Sequence, residues 1–181
     1  MTNDDIIVLE LSSFQLMDMQ VSPHIAVITN ISPNHLDIHK SYEEYIDSKK
    51  NIFKFQNESD ILVLNYDNEI TRNCAKEASS KVKFFSSKEK LQDGVIYDNG
   101  VIKLCSDGLR RHIINVKDIP LRGVHNYENI CAAICATSSL VDIDTQIKVI
   151  SSFKGVEHRL ELVREIDGVK WYNDSIGTSP S

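Results

Sequence analysis

With 181 residues, 41% hydrophobic and 25% charged, the chain has a globular composition and fits one domain or slightly more. A net charge of −6 argues against nucleic acid as a bulk partner, yet leaves room for a phosphorylated small ligand at a local positive site. No apolar run approaches the ~18 residues that span a bilayer, and Asp4 and Asp5 stand where a signal peptide would be basic, so no membrane role is expected.

Residues 6–11 form an apolar run that predicts a fully buried strand ending at Glu10, with a helix beginning near Ser12 or Ser13. Residues 25–31 predict a second buried strand, closed by Ser32-Pro33-Asn34. Ser41 and Glu44 make a capping-box signature that opens a helix to about residue 55. A third strand is expected at residues 61–65, a helix at 67–79 and a fourth strand at 82–85. This alternation predicts an α/β fold, a mostly parallel sheet flanked by helices. Beyond residue 94 the pattern changes. Asp98-Asn99-Gly100 signals a hairpin, residues 113–116 suggest another strand, and together they predict a small antiparallel β appendage. Helices follow at 127–141 and 145–153, then a second hairpin turning at Asp167-Gly168. The cysteines Cys74, Cys105, Cys131 and Cys135 form no C-x-x-C pair and read as small core residues.

Several residues carry chemistry. In open parallel sheets, ligands sit beyond the carboxyl ends of the strands. Glu10 falls at such an end and could hold a magnesium ion or its water near a phosphate, or simply cap a helix. Asn34-His35-Leu36-Asp37-Ile38-His39 follows the second strand, so a zinc site or a polar loop with hydrogen-bonded histidines both fit. Tyr42, Tyr45, Ile46, Lys49, Ile52 and Phe53 share a helical stripe, which puts Lys49 among apolar side chains. It either snorkels to water or is a desolvated amine of lowered basicity, able to capture carbon dioxide as a carbamate. Its neighbour Lys50 should point elsewhere. Asn126 and Asn129 could cap the helix they begin, or present amides to a heterocycle such as adenine. The Asp167-Gly168 turn should bring His158-Arg159 beside Asn173-Asp174, as an ion pair or as a holder of phosphate and ribose.

Taken in order, Glu10, Asn34-His35-Leu36-Asp37, Tyr45-x-x-x-Lys49, Gly123-x-His125-Asn126-x-x-Asn129, His158-Arg159 and Asn173-Asp174-Ser175 resemble the Mur ligases, the ATP-dependent amide-forming enzymes of peptidoglycan synthesis. The string Glu10-Leu11-Ser12-Ser13-Phe14-Gln15-Leu16 is similar to the branch that adds D-glutamate to UDP-N-acetylmuramoyl-L-alanine. The resemblance implies a cytoplasmic, monomeric full-length enzyme of cell-wall synthesis that uses ATP and two magnesium ions. Its chemistry would pass through an acyl phosphate. It further implies that Glu10, His35 and a carbamylated Lys49 are the catalytic and metal-binding residues. Asn126 and Asn129 would contact adenine, Arg159 and Asp174 the phosphate and ribose, and Ser12 and Gln15 the muramoyl substrate.

Two departures stand out. The family's P-loop, G-x-x-G-K-[ST], is expected before Glu10, yet no glycine precedes Gly94. Ile176 occupies a position where many members carry lysine, although Thr178 keeps its place. The resemblance therefore implies a partial central ATPase domain over residues 1–173, lacking its P-loop. Residues 174–181 would start a carboxyl-terminal amino-acid-binding domain, and this fragment alone would be inactive. Two other readings remain open: a non-catalytic nucleotide- or metal-binding module, and a sister ligase that adds a different amino acid.

Overall fold

The computed structural model describes residues 5–32 and 39–176. Its centre is a six-stranded sheet in the order β1 (Ile25–Ile28), β2 (Ile61–Asn65), β3 (Lys81–Ser86), β4 (Gly94–Asp98), β5 (Val101–Ser106) and β6 (Leu109–Asn115). The first four strands run parallel, and β4 to β6 continue as an antiparallel meander. The expected mostly parallel sheet with an antiparallel portion is borne out. That portion is continuous with the main sheet, because β4 pairs on one side with β3 and on the other with β5.

Strand β2 shows why the sheet has two covered faces. All five of its residues are buried. Side chains alternate across a strand, so Ile61 and Val63 join one core cluster while Leu62 and Leu64 join the other. The first cluster packs under α4 (Val124–Thr137) and α5 (Ile143–Ser152). The second packs under α2 (Tyr42–Lys54) and α3 (Glu69–Cys74). Burial of both faces is what a crossover-connected parallel sheet requires. All four cysteines are buried and free, as small core residues should be. Desolvation pushes the Cys135 thiol up to about 12, which leaves it unreactive.

Two expectations need correction. Residues 6–11 do not form a strand: they have no regular structure, and Ile6 and Val8 are 70% and 89% exposed. A strand that is apolar on both faces needs ladder partners and cover on each side, and none of the described strands pairs with this segment. The helix expected over residues 67–79 is only Glu69–Cys74. Asn68 caps its start, and the Ala75 N–H reaches both the Arg72 and Asn73 carbonyls, tightening the last turn into its end.

The second hairpin, β7 (Glu161–Ile166) with β8 (Val169–Asn173), forms a separate two-stranded sheet. It turns at Asp167 and Gly168, as read from sequence, and both have positive φ.

Candidate functional site

A short helix, α1 (Ser13–Met17), follows Glu10. Ser12 is its N-cap and Gln15 completes a capping box: the Gln15 N–H donates to Ser12 Oγ at 3.3 Å, and the Ser12 N–H donates to Gln15 Oε1 at 2.9 Å. The far end of α1 is tied to α2 by Asn51, whose amide nitrogen donates to the carbonyls of Leu16 at 2.9 Å and Met17 at 3.1 Å. The Leu16 carbonyl also accepts from the Met19 N–H at 3.2 Å, so Asn51 adds a side-chain partner to carbonyls at the helix end.

Helix α2 starts as its sequence signals. Ser41 Oγ accepts from the Glu44 N–H at 3.1 Å, while Glu44 reaches one residue further back than in the usual box, accepting from the Lys40 N–H at 2.6 Å. Tyr45 and Phe53 are buried in the core, with Tyr42, Ile46 and Ile52 packed beside them. Lys49 shares this stripe and is half-buried. Its ammonium stands over the Tyr45 ring at 5.8 Å from the centroid. Desolvation holds the Lys49 amine below the ordinary lysine range, and the nearby charge of Glu10 partly opposes the shift. The Tyr45 ring beneath the Lys49 ammonium also meets His39 edge-on, and His39 Nε2 is 2.9 Å from Ser13 Oγ, so the helix bearing Lys49 packs beside the segment that follows Glu10, although Glu10 and Lys49 form no direct ion pair. Lys50 behaves as its position predicts: it pairs with Glu77 at 2.7 Å and lies 3.9 Å from Asp47, and the Glu77 hydrogen bond raises its amine above the ordinary range.

His35 and Asp37 lie outside the described residues. His39 does not stand on an open face as a metal ligand would. It is buried, with Nε2 2.9 Å from Ser13 Oγ, and among the described residues no group of three or more His, Cys, Asp or Glu could hold a metal.

Asn126 and Asn129 are not helix caps. The N-cap of α4 is Gly123, so both asparagines stand within the helix, one turn apart. Asn126 donates to the Arg122 carbonyl at 2.7 Å, while Asn129 is exposed. Sequence reasoning missed what anchors this end of α4. Ser87, just beyond the carboxyl end of β3, donates through Oγ to Glu128 and through its N–H to Asp67 at 2.7 Å. The run Ser86-Ser87 after an apolar strand was the available signal.

At the base of the second hairpin, the expected convergence occurs. Asn173 and His158 are linked by a 2.8 Å bond between Nδ2 and Nδ1, and Asp174 Oδ1 accepts from the Leu160 N–H at 3.1 Å. Asp174 thus caps backbone and does not pair with the exposed Arg159. Among the described residues, no hydrogen bond or ion pair links this hairpin base to the Glu10–Lys49 pair or to Asn126 and Asn129.

Residues 1–137 match the family model described as the Mur ligase middle domain. The chain is 55% identical over 180 residues to the UDP-N-acetylmuramoylalanine--D-glutamate ligase of Clostridium kluyveri, covering 99% of this chain and 38% of that relative. It is 51% identical over 181 residues to the enzyme of the same name from Clostridium novyi, covering 39% of it. The chain thus spans well under half the length of the curated relatives it matches. Among solved structures, MurF from Acinetobacter baumannii superimposes with a TM-score of 0.66 at 18% identity, over 84% of this chain and 34% of that one. MurF ligase from Thermotoga maritima in complex with ADP gives 0.57 at 23% identity, over 84% and 35%. At these identities the structural likeness concerns the fold.

Proposed function

Because the chain belongs to the Mur ligase family through its middle domain, we propose that it carries the ATPase core of a ligase joining D-glutamate to UDP-N-acetylmuramoyl-L-alanine. The observation that carries this reading is the half-buried Lys49 amine over the Tyr45 ring, on a helix tied by Asn51 to the short helix that follows Glu10, in a chain whose near relatives bear that ligase's name.

The reaction poses a problem of charge. A substrate carboxylate must approach a triphosphate, take the γ-phosphoryl group and release ADP, after which the glutamate amine displaces phosphate to form the amide. Both partners of the first step are anions, so the site must neutralise them and hold them in line. Magnesium would supply that neutralisation when bound. Glu10 offers an oxygen donor of the hard type this ion prefers, and a carbamylated Lys49 would offer two more. The described side chains build no closed metal cage. Magnesium keeps waters and substrate phosphates among its ligands, so few protein oxygens would be needed to hold it. His35 joins this set by its motif alone. The low basicity of Lys49 favours the neutral amine that carbamylation consumes.

In this reading the amides of Asn126 and Asn129 contact adenine, and Arg159 with Asp174 serves phosphate and ribose. Ser12 and Gln15 lie near the muramoyl substrate. The Gln15 carbonyl oxygen is already engaged by Ser12, so a substrate contact would run through the amide nitrogen. The substrates are a nucleotide precursor and a free amino acid, consistent with a cytoplasmic enzyme, and every group named lies on one chain, so a monomer suffices. The test is phosphate release by the chain in its full-length context, with ATP, UDP-N-acetylmuramoyl-L-alanine and D-glutamate. Release that requires all three is expected. Release with a different amino acid and none with D-glutamate would overturn the assignment.

A further inference from the structure

His39 is a buried titratable side chain to which the reaction above gives no task; it is 4% exposed. Three contacts define its place. Nε2 lies 2.9 Å from Ser13 Oγ. The ring stacks on Phe14, with centroids 5.0 Å apart and planes 11° from parallel. It also meets Tyr45 edge-on at 5.3 Å and 72°. Ser13 and Phe14 belong to α1, directly after Glu10, whereas Tyr45 lies one helical turn before Lys49 and carries the Lys49 ammonium over its ring. One imidazole therefore connects the segment bearing the carboxylate with the helix bearing the amine.

The other ring nitrogen indicates what this imidazole is for. Nδ1 is buried and has no hydrogen-bond partner among the described residues. A polar atom in that state destabilises the fold, least so as a bare lone pair, which assigns the proton to Nε2 and makes it the donor to Ser13 Oγ. A phenyl ring would fill the same space between Phe14 and Tyr45 without that penalty. What the imidazole adds is a directional bond to Ser13. Asn51 independently holds the opposite end of α1, so the His39 bond governs the end nearest Glu10.

We propose that His39 is a positioning residue for the ligase reaction: through its bond to Ser13 it fixes the Glu10 carboxylate relative to the Lys49 amine. Its purpose rests on the ligase reading; its geometry does not. Neither Glu10 nor Lys49 touches it in the contacts above, so it acts through Ser13 on one side and Tyr45 on the other.

The test is a zero-length carbodiimide crosslink between Glu10 and Lys49 in the 181-residue chain, formed as side-chain motion carries the two groups into contact and quantified by peptide mass spectrometry. The Lys50–Glu77 crosslink in the same sample reports that α2 and α3 remain in place. The parent chain should form both. His39→Phe keeps the ring packing and removes the bond, and should lower the Glu10–Lys49 yield roughly threefold or more relative to the control link. Ser13→Ala, which leaves the imidazole intact, should act in the same direction. An unchanged ratio in both variants overturns the proposal, as does a parent chain that forms no Glu10–Lys49 link. In the full-length protein, His39→Phe should reduce kcat about tenfold with KM for ATP little changed. A lost crosslink with unaltered kcat also overturns the positioning role. Absence of phosphate release from the unmutated full-length protein would instead count against the ligase reading, while the crosslink arm would still report on the geometry.

Discussion

The β4–β5 and β7–β8 hairpins turn on nearly the same chemistry and end in opposite environments. Asn99-Gly100 closes the first with φ of 50° and 81°, and Asp167-Gly168 closes the second with φ of 50° and 78°. Both fit the left-handed geometry that a two-residue hairpin turn demands. Beyond the turns they part. Val95, Ile96 and Ile102 of the first are at most 1% exposed, whereas Val163 and Trp171 of the second are 62% and 59% exposed. The turn residues thus specify a hairpin in either case, but only burial decides whether the hairpin supports the fold. The first is part of the core sheet. The second holds His158, Asn173 and Asp174 together at its base and contributes little to the core.

This contrast can be broken most sharply by truncation. Ile96→Ala should cost about 2–5 kcal/mol, and Trp171→Ala, although it removes a larger side chain, less than about 1 kcal/mol. Urea unfolding followed by far-UV circular dichroism would measure both, and equal costs would refute the contrast. Smaller effects come from the turns. An alanine Cβ at Gly168 meets open space and one at Gly100 meets only Val116 Cγ2 at 4.0 Å, an ordinary contact, so in both the cost is backbone strain, about 1–2 kcal/mol. At Gly100 that strain should lower the global urea midpoint. At Gly168 it should leave the midpoint nearly unchanged and appear as faster proteolysis within the hairpin. Ser41→Ala, which removes the N-cap of the Lys49 helix, should cost about 1 kcal/mol in the same unfolding assay. Smallest is a rate difference within α2. Only the neutral amine acylates; the basicity of Lys49 is lowered by burial and that of Lys50 is raised by Glu77. At mildly alkaline pH, Lys49 should therefore label several-fold faster than Lys50 in competitive acetylation read by mass spectrometry, with the advantage shrinking as pH rises above both amines.

The parts of the fold that were legible from sequence are those set by local rules. The β2 strand, the Ser41 cap and both hairpin turns appear where capping, turn and periodicity rules place them. Residues 6–11 were misread because their pattern is that of a buried strand, and burial depends on neighbours that a pattern does not contain. At the site, the helical stripe correctly separated Lys49 from Lys50, since side-chain direction on a helix follows from spacing alone. The contact of His39 with Ser13 was not legible. It joins residues 26 positions apart, and the alternation of histidines around it pointed to a loop face instead of a packed interior. Asn126 and Asn129 were placed correctly on one helix, but the helix begins earlier, at Gly123, so neither is its cap.

The central claim is that Lys49, and not the neighbouring lysine on the same helix, belongs to the reacting site. Replacing each by methionine in the full-length protein, and measuring phosphate release with ATP, UDP-N-acetylmuramoyl-L-alanine and D-glutamate, tests it most directly. The account predicts a loss of about 100-fold or more in kcat for Lys49→Met and a change within about threefold for Lys50→Met. Equal losses in the two variants, or full activity in Lys49→Met, would contradict it.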